Sequence, residues 1–140
     1  MSAAKTNIAV EVNILAPIEV VWQYFNDPEH VVHWNNASPD WHTPKAENDL
    51  QVGGKFNYTM AAKDGSFSFE FWGVYDVIKE NQLLEYTLGD ERKVSVEFIS
   101  VGDDTKIIET FEAEGQNSIE LQKGGWQAIL DNFKKHVEEN

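Results

Sequence analysis

A change of hydrophobic period near residue 118 constrains the fold of this chain more than any other feature. From Gly53 to Ala113, apolar side chains alternate with polar ones, which is the pattern of half-buried β-strands. Beyond Ser118, a favoured helix N-cap, apolar residues recur at helical spacing as far as Glu138. Antiparallel strands joined by short turns bury one face. We expect the long helix over 118–138 to cover that face.

The first part of the chain predicts one more strand and two short helices. Residues 8–14 alternate in hydropathy, and Pro17 then opens a helix at a tolerated first-turn position. A second start signal places another helix at about 28–34. The segment 41–47 contains Pro44 and is therefore predicted to be an edge strand.

These elements predict an α+β architecture in a single domain over residues 1–140. A curved antiparallel sheet of about six to seven strands would grip the long C-terminal helix, with two short helices following the first strand. A chain of 140 residues is long enough for one domain with one sizeable core.

Composition and charge argue against several classes of function. The net charge of −13 disfavours nucleic acids and anionic membrane surfaces as partners. Without cysteine the chain has no disulfide or thiolate metal site, and this composition suits a reducing, cytoplasmic location. No segment approaches the roughly 20 apolar residues of a membrane span. Residues 1–12 lack the apolar run of a signal peptide.

Three short motifs carry a resemblance to a known family: Gly53-Gly54-Lys55-Phe56, Phe69-x-Phe71-x-Gly73-x-Tyr75, and Gly125-Trp126 followed by Leu130-Asp131-Asn132-Phe133. In their order and spacing, the chain resembles homologues of the activator of the 90-kDa heat-shock protein's ATPase over about residues 8–137. That family lies in the START-like, birch-pollen-allergen-like superfamily. The resemblance implies a helix-grip fold with a cavity between sheet and long helix. The superfamily includes lipid and hormone carriers, aromatic polyketide cyclases and the co-chaperone domain of the family name.

An aromatic inner face of the sheet is the strongest indication of function. We expect a hydrophobic cavity whose ligand-binding residues are Trp34, Tyr58, Phe69, Phe71, Tyr86, Phe98, Glu109, Gly125 and Ile129. Its mouth is expected near Trp34 and the loop 35–39, because one helix cannot cover a curved sheet along its full length.

The predicted function is therefore binding of a small hydrophobic molecule, aromatic or lipid-like and neutral or cationic. One alternative is a co-chaperone or protein-interaction module with a chaperone as partner. The other is an enzyme resembling polyketide cyclases or dehydratases, with Glu109, His33 or a tyrosine as acid or base. No catalytic residue and no cofactor are assigned.

Two positions leave alternatives open. Glu109 is either inward, where burial would raise its pKa, or outward in a register that buries Ile108 instead. Gly125 lies in an apolar stripe that repeats every four residues over 121–137. It either leaves free volume for a ligand or, as we expect, permits close packing against a bulky aromatic side chain.

The histidines do not predict a metal site. His30 and His33 are three residues apart and His42 is nearby, but the flanking segments are loops without a recognised ligand spacing. We interpret these residues as surface or lid histidines.

Overall fold

The computed structural model describes residues 6–140, which form a seven-stranded antiparallel sheet and three helices. The strands are β1 Asn7–Ile14, β2 Trp41–Asn48, β3 Lys55–Ala62, β4 Ser68–Lys79, β5 Leu83–Leu88, β6 Lys93–Val101 and β7 Asp104–Glu112. The helices are α1 Ile18–Asn26, α2 Pro28–Trp34 and α3 Ile119–Glu139. The predicted architecture is confirmed. The prediction about a signal peptide falls partly on residues 1–5, which lie outside the described residues.

The order of strands in the sheet is β1-β7-β6-β5-β4-β3-β2. The first and second strands of the chain are thus the two edges, and α1 and α2 connect them. The predicted edge position of the proline-containing strand is confirmed, and its pairing with β3 shifts register between His42 and Lys45, on either side of Pro44. A proline has no N–H for the ladder, so such a strand is tolerated at an edge.

The long helix α3 begins at the predicted cap, where the Ser118 hydroxyl accepts a hydrogen bond from the Leu121 N–H at 3.1 Å. It packs most closely against β1 and also contacts α1 and α2. The helix therefore covers the β1 side of the sheet. Among residues 6–140, no helix is both long and apolar enough to cross a membrane.

The buried face of α3 differs from the four-residue stripe in the sequence. An α-helix has about 3.6 residues per turn, so each four-residue step rotates about 40° past a full turn. The stripe therefore winds around the helix, and Leu121 is 63% exposed whereas Gln122 is buried. Farther along, Leu130, Phe133 and Val137 lie in the core.

Candidate functional site

A cavity of about 330 Å³ lies between α3 and the inner face of the sheet. This volume is near the lower end of the roughly 300–1,000 Å³ that is usual for small-molecule sites. Its aromatic lining residues are Phe25, Trp34, Phe56, Tyr58, Phe69, Phe71, Tyr75, Tyr86 and Trp126. Its other lining residues are Asn35, Met60, Leu84, Arg92, Glu109, Glu114, Asn117, Leu121, Gln122, Gly125 and Ile129.

Every residue predicted to bind a ligand lines this cavity except Phe98. The Phe98 side chain is buried, as its strand position predicts, but its ring packs against Trp22 at 5.0 Å and Phe25 at 5.4 Å between ring centroids. Because α1 covers this part of β6, Phe98 belongs to the core under that helix and not to the cavity lining. A ligand-binding role for the other predicted residues stays a prediction.

The sequence did not single out Trp126 as a wall of the cavity. Its ring stacks on Phe111 of β7, with 3.8 Å between centroids and 10° between planes. It meets the Phe71 ring nearly at a right angle, with 6.1 Å between centroids. One sequence feature could have predicted this position of Trp126 in the cavity wall: it follows Gly125 and lies three residues before Ile129, on the same side of α3.

Phe56 and Tyr75 also line the cavity although neither was among the predicted ligand-binding residues. A Cβ atom on Gly73 would lie 2.9 Å from Phe56 Cε1 and 2.9 Å from the Thr87 carbonyl oxygen. The glycine in the motif around Phe71 and Tyr75 thus lets the Phe56 ring lie close against β4. This contact gives a physical reason for that part of the motif.

The exposed part of the lining is not where the sequence predicted the mouth. Trp34 is 4% exposed, and its indole N–H donates to the Tyr24 carbonyl oxygen at 3.1 Å. Phe69 is 42% exposed and Leu121 63%, and both line the cavity. The opening therefore lies between the β3–β4 hairpin and the start of α3. The expected mouth at Trp34 was wrong because α2 packs against β2 and closes that end.

A buried amide fixes the loop at the start of α3. The Gln122 side chain donates to the carbonyl oxygens of Glu114 at 3.1 Å and Asn117 at 2.8 Å. Its own oxygen accepts from the Glu114 N–H at 2.9 Å. Because Glu114, Asn117 and Gln122 all line the cavity, these hydrogen bonds shape the wall beside the opening.

Glu109 faces inward, which resolves the alternative registers of β7. It lies opposite Val10 and Val96, and all three residues are buried. Burial raises the pKa of the Glu109 carboxyl to about 8, so the group is largely protonated at pH 7. Within residues 6–140, no hydrogen bond or ion pair satisfies this carboxyl, and burial is the cause of its raised pKa. It is a neutral acid in the cavity wall.

Three tyrosine hydroxyls supply further polar groups. Tyr75 donates to Asn48 Oδ1 at 2.7 Å and also shares a hydrogen bond with the Tyr58 hydroxyl. Burial raises the pKa of Tyr58 and of Tyr86 well above the usual value, and the nearby Glu109 carboxyl raises that of Tyr86 further. These hydroxyls are therefore neutral groups that can donate or accept hydrogen bonds.

Gly125 leaves free volume, so the expectation of close packing was wrong. A Cβ atom built there meets no heavy atom within 4 Å, and the residue lines the cavity. Gly124 also meets nothing within 4 Å but is exposed and outside the lining. Two adjacent glycines on α3 thus both have room for a side chain, one toward the cavity and one toward solvent.

A histidine cluster forms between α2 and α3, outside the cavity lining. His30 Nδ1 lies 2.9 Å from His136 Nε2, and the His33 ring stacks on His136 at 5.7 Å. Partial burial, and then the neighbouring His30 and His33, lower the pKa of His136. In the described part of the chain, no group of three potential ligands can hold a metal ion. Sequence spacing could not connect His136 to the other two.

A curved antiparallel sheet that grips a C-terminal helix over an internal space defines a START-like helix-grip protein. The model of the family "Activator of Hsp90 ATPase homolog 1-like protein" matches residues 15–138, and the chain belongs to this family. The resemblance in the sequence motifs is thereby confirmed. No curated protein matches the chain significantly.

Solved structures of similar proteins agree with this assignment. The chain is 44% identical to an AHSA1-like protein from Aeromonas hydrophila, with a TM-score of 0.90 over 96% of this chain and 93% of that one. It is 56% identical to the protein Chr148 from Cytophaga hutchinsonii, with a TM-score of 0.83 and the same coverage. The protein CV1439 from Chromobacterium violaceum shares the fold, at 21% identity and a TM-score of 0.85. The match covers 96% of this chain and 99% of that one.

Proposed function

We propose that the chain binds a small hydrophobic molecule, aromatic or lipid-like, in the cavity between the sheet and α3. The cavity of about 330 Å³ carries this proposal. Protein interiors normally pack with few voids larger than a water molecule. A space of this size, lined by nine aromatic side chains and widened by Gly125, suits a flat apolar ligand.

Ligand binding should raise the melting temperature of the wild-type protein in a thermal-shift screen of flavonoids, sterols, fatty acids and aromatic polyketides. A ligand at a hundred times its dissociation constant stabilises the native state by about 2.7 kcal/mol. Because Gly125 faces the cavity and Gly124 faces solvent, Gly125→Leu should abolish the shift while Gly124→Leu retains it.

The paired glycine variants separate loss of binding from a change in helix stability. Each variant replaces a helical glycine by leucine, which is more favourable than glycine in a helix by about 1 kcal/mol, so the effect on helix stability is the same in both. If no library member shifts the wild type, or if both variants lose the shift equally, the cavity is not the binding site and the proposal fails.

A second candidate function, as a co-chaperone or protein-interaction module, is favoured by an exposed aromatic cluster. Phe67 at 59% and Phe69 at 42% exposure lie on the β3–β4 hairpin. Their ring centroids are 6.1 Å apart, and each lies about 6 Å from that of Trp41. Exposed contiguous apolar surface is a frequent feature of interaction sites.

Under this second function, the chain should stimulate the ATPase of a 90-kDa heat-shock protein, and Phe67→Ser should weaken the stimulation at least several-fold. Val52→Ser is the matched control, because Val52 is 65% exposed and outside the aromatic cluster. Equal stimulation by wild type and Phe67→Ser, or none by wild type, would exclude a role of this surface.

An enzymatic function of the cyclase or dehydratase type stays the third candidate. Glu109 and Tyr86 both line the cavity, so an acid–base pair is available there. His33 contacts His136 and is outside that lining, which separates it from Glu109. Turnover of a polyketide-like substrate by wild type but not by Glu109→Gln would select this alternative.

A further inference from the structure

We propose that the cavity selects ligands that carry a positive charge, namely an ammonium group on an aromatic or aliphatic body. This inference rests on the proposed ligand-binding function and specifies the class of ligand. It is carried by a buried carboxyl group that lacks a protein partner, by the aromatic rings around it, and by the distribution of the other charges near the cavity.

Glu109 provides the first argument. Its side chain is 8% exposed and lines the cavity, yet no hydrogen bond or ion pair within residues 6–140 satisfies its carboxyl. Because Glu109 lines the cavity, its carboxyl is open to a bound molecule and is not enclosed by protein on every side. A ligand ammonium would supply both the hydrogen-bond donors and the countercharge that this carboxyl lacks.

The aromatic lining provides the second argument. Rings of Phe71, Tyr86 and Trp126 line the same cavity as Glu109, and Tyr86 is close enough for its hydroxyl to interact electrostatically with the carboxyl. The face of an aromatic ring attracts a cation within about 6 Å, and desolvation strengthens the attraction. A carboxylate combined with aromatic rings is a suitable environment for an ammonium group.

The remaining charges disfavour an anion. In the part of the chain that the structure describes, Arg92 is the one basic side chain lining the cavity. Its Nε pairs with Asp90 at 2.7 Å and its Nη1 donates to the Glu112 carbonyl oxygen at 3.3 Å, so an acidic partner already offsets its charge. Glu114 adds an acidic residue to the lining, and the net charge of −13 attracts cations to the protein.

Binding of a cation should displace a proton from Glu109. The free carboxyl is largely protonated at pH 7, because burial raises its pKa to about 8. When an ammonium binds, the O–H bond of the acid breaks, the proton goes to the buffer and the carboxylate pairs with the nitrogen. Affinity for a cation should therefore rise with pH up to about 8, by at most about tenfold per pH unit. Affinity for a neutral ligand should not change with pH.

The test uses three probes that share one naphthalene body: 1-naphthylmethylamine, 1-naphthalenemethanol and 1-naphthoate. Titration calorimetry with wild type would be run between about pH 6 and about pH 8, where a simple amine stays protonated. Two buffers of different ionisation enthalpy report the proton released. Glu109→Gln removes the buried acid, and Glu97→Gln makes the same side-chain replacement on the outer face of β6.

We expect the amine to bind wild type at least tenfold more tightly than the alcohol at pH 8, with release of about one proton at pH 7. The naphthoate should be the weakest probe. Glu109→Gln should lose the preference for the amine and keep the alcohol affinity, whereas Glu97→Gln should behave as wild type.

Alcohol binding that equals or exceeds amine binding, or a preference that survives in Glu109→Gln, would overturn the selection of cations and leave the ligand-binding function intact. Failure of all three probes to bind would also overturn it. The library screen then decides separately whether the cavity binds any hydrophobic molecule.

Discussion

Replacing Glu109 by glutamine should raise the free energy of unfolding at pH 7 by about 3 kcal/mol. Burial raises the pKa of this carboxyl from 4.5 to about 8. At pH 7 ionisation of Glu109 stabilises the unfolded chain, whereas in the folded chain the carboxyl stays largely protonated and gives no such stabilisation. For each pH unit between the unfolded pKa and 7, ionisation stabilises the unfolded state by about 1.36 kcal/mol. Glutamine has nearly the same shape and does not ionise in either state.

The pH dependence of this difference has a defined direction. Below about pH 4.5 the carboxyl is protonated in both states, so wild type and Glu109→Gln should have similar stability. Between about 4.5 and 8 the folded state binds more protons, and wild type should lose stability relative to the variant as pH rises. Above about pH 8 the difference should be constant.

Urea unfolding of both proteins at a series of pH values measures this difference. Glu97→Gln is again the control, because Glu97 is exposed on the outer face and its removal should change stability by less than about 0.5 kcal/mol. A Glu109→Gln variant less stable than wild type at pH 7, or a difference that does not vary with pH, would mean that the carboxyl is ionised or otherwise paired in the folded protein.

Most of the architecture was predictable because strands and helices have different hydrophobic periods. The switch near Ser118 gave the boundary between sheet and long helix, and Pro44 gave an edge strand. Alternation failed locally in β4, where the ladder shifts between Tyr75 and Val77. Beyond this bulge Ile78, not Val77, packs against the core. A bulge inserts one residue and reverses the faces, and alternation alone does not reveal where it lies.

The site was less predictable because its geometry depends on contacts between distant elements. The orientation of Glu109 depends on the register of β7 against β1 and β6, and apolar residues on both faces of β7 left that register open. The exclusion of Phe98 depends on α1 covering β6. The free volume at Gly125 depends on how far α3 stands from β3 and β4. These three features depend on how distant elements pack together, and a local sequence pattern does not reveal that packing.

The contrast between core and cavity predicts very different costs for two phenylalanine truncations. Phe133 is fully buried and packs against Trp34 at 4.8 Å and Phe25 at 5.3 Å between ring centroids. Removal of such a ring loses burial and leaves a cavity, so Phe133→Ala should lower the free energy of unfolding by about 3–5 kcal/mol. Phe71 is only partly buried and already borders empty space, so Phe71→Ala should cost less than half as much.

Urea unfolding at neutral pH compares the two variants directly, since both delete the same atoms. A ring that faces a void has fewer contacts to lose, because the missing neighbours contribute no dispersion energy. Saturation with a cavity ligand should then stabilise wild type and Phe133→Ala alike, but Phe71→Ala much less. Equal costs for the two truncations would mean that Phe71 is as tightly packed as Phe133 and that the space beside it is filled in the native protein.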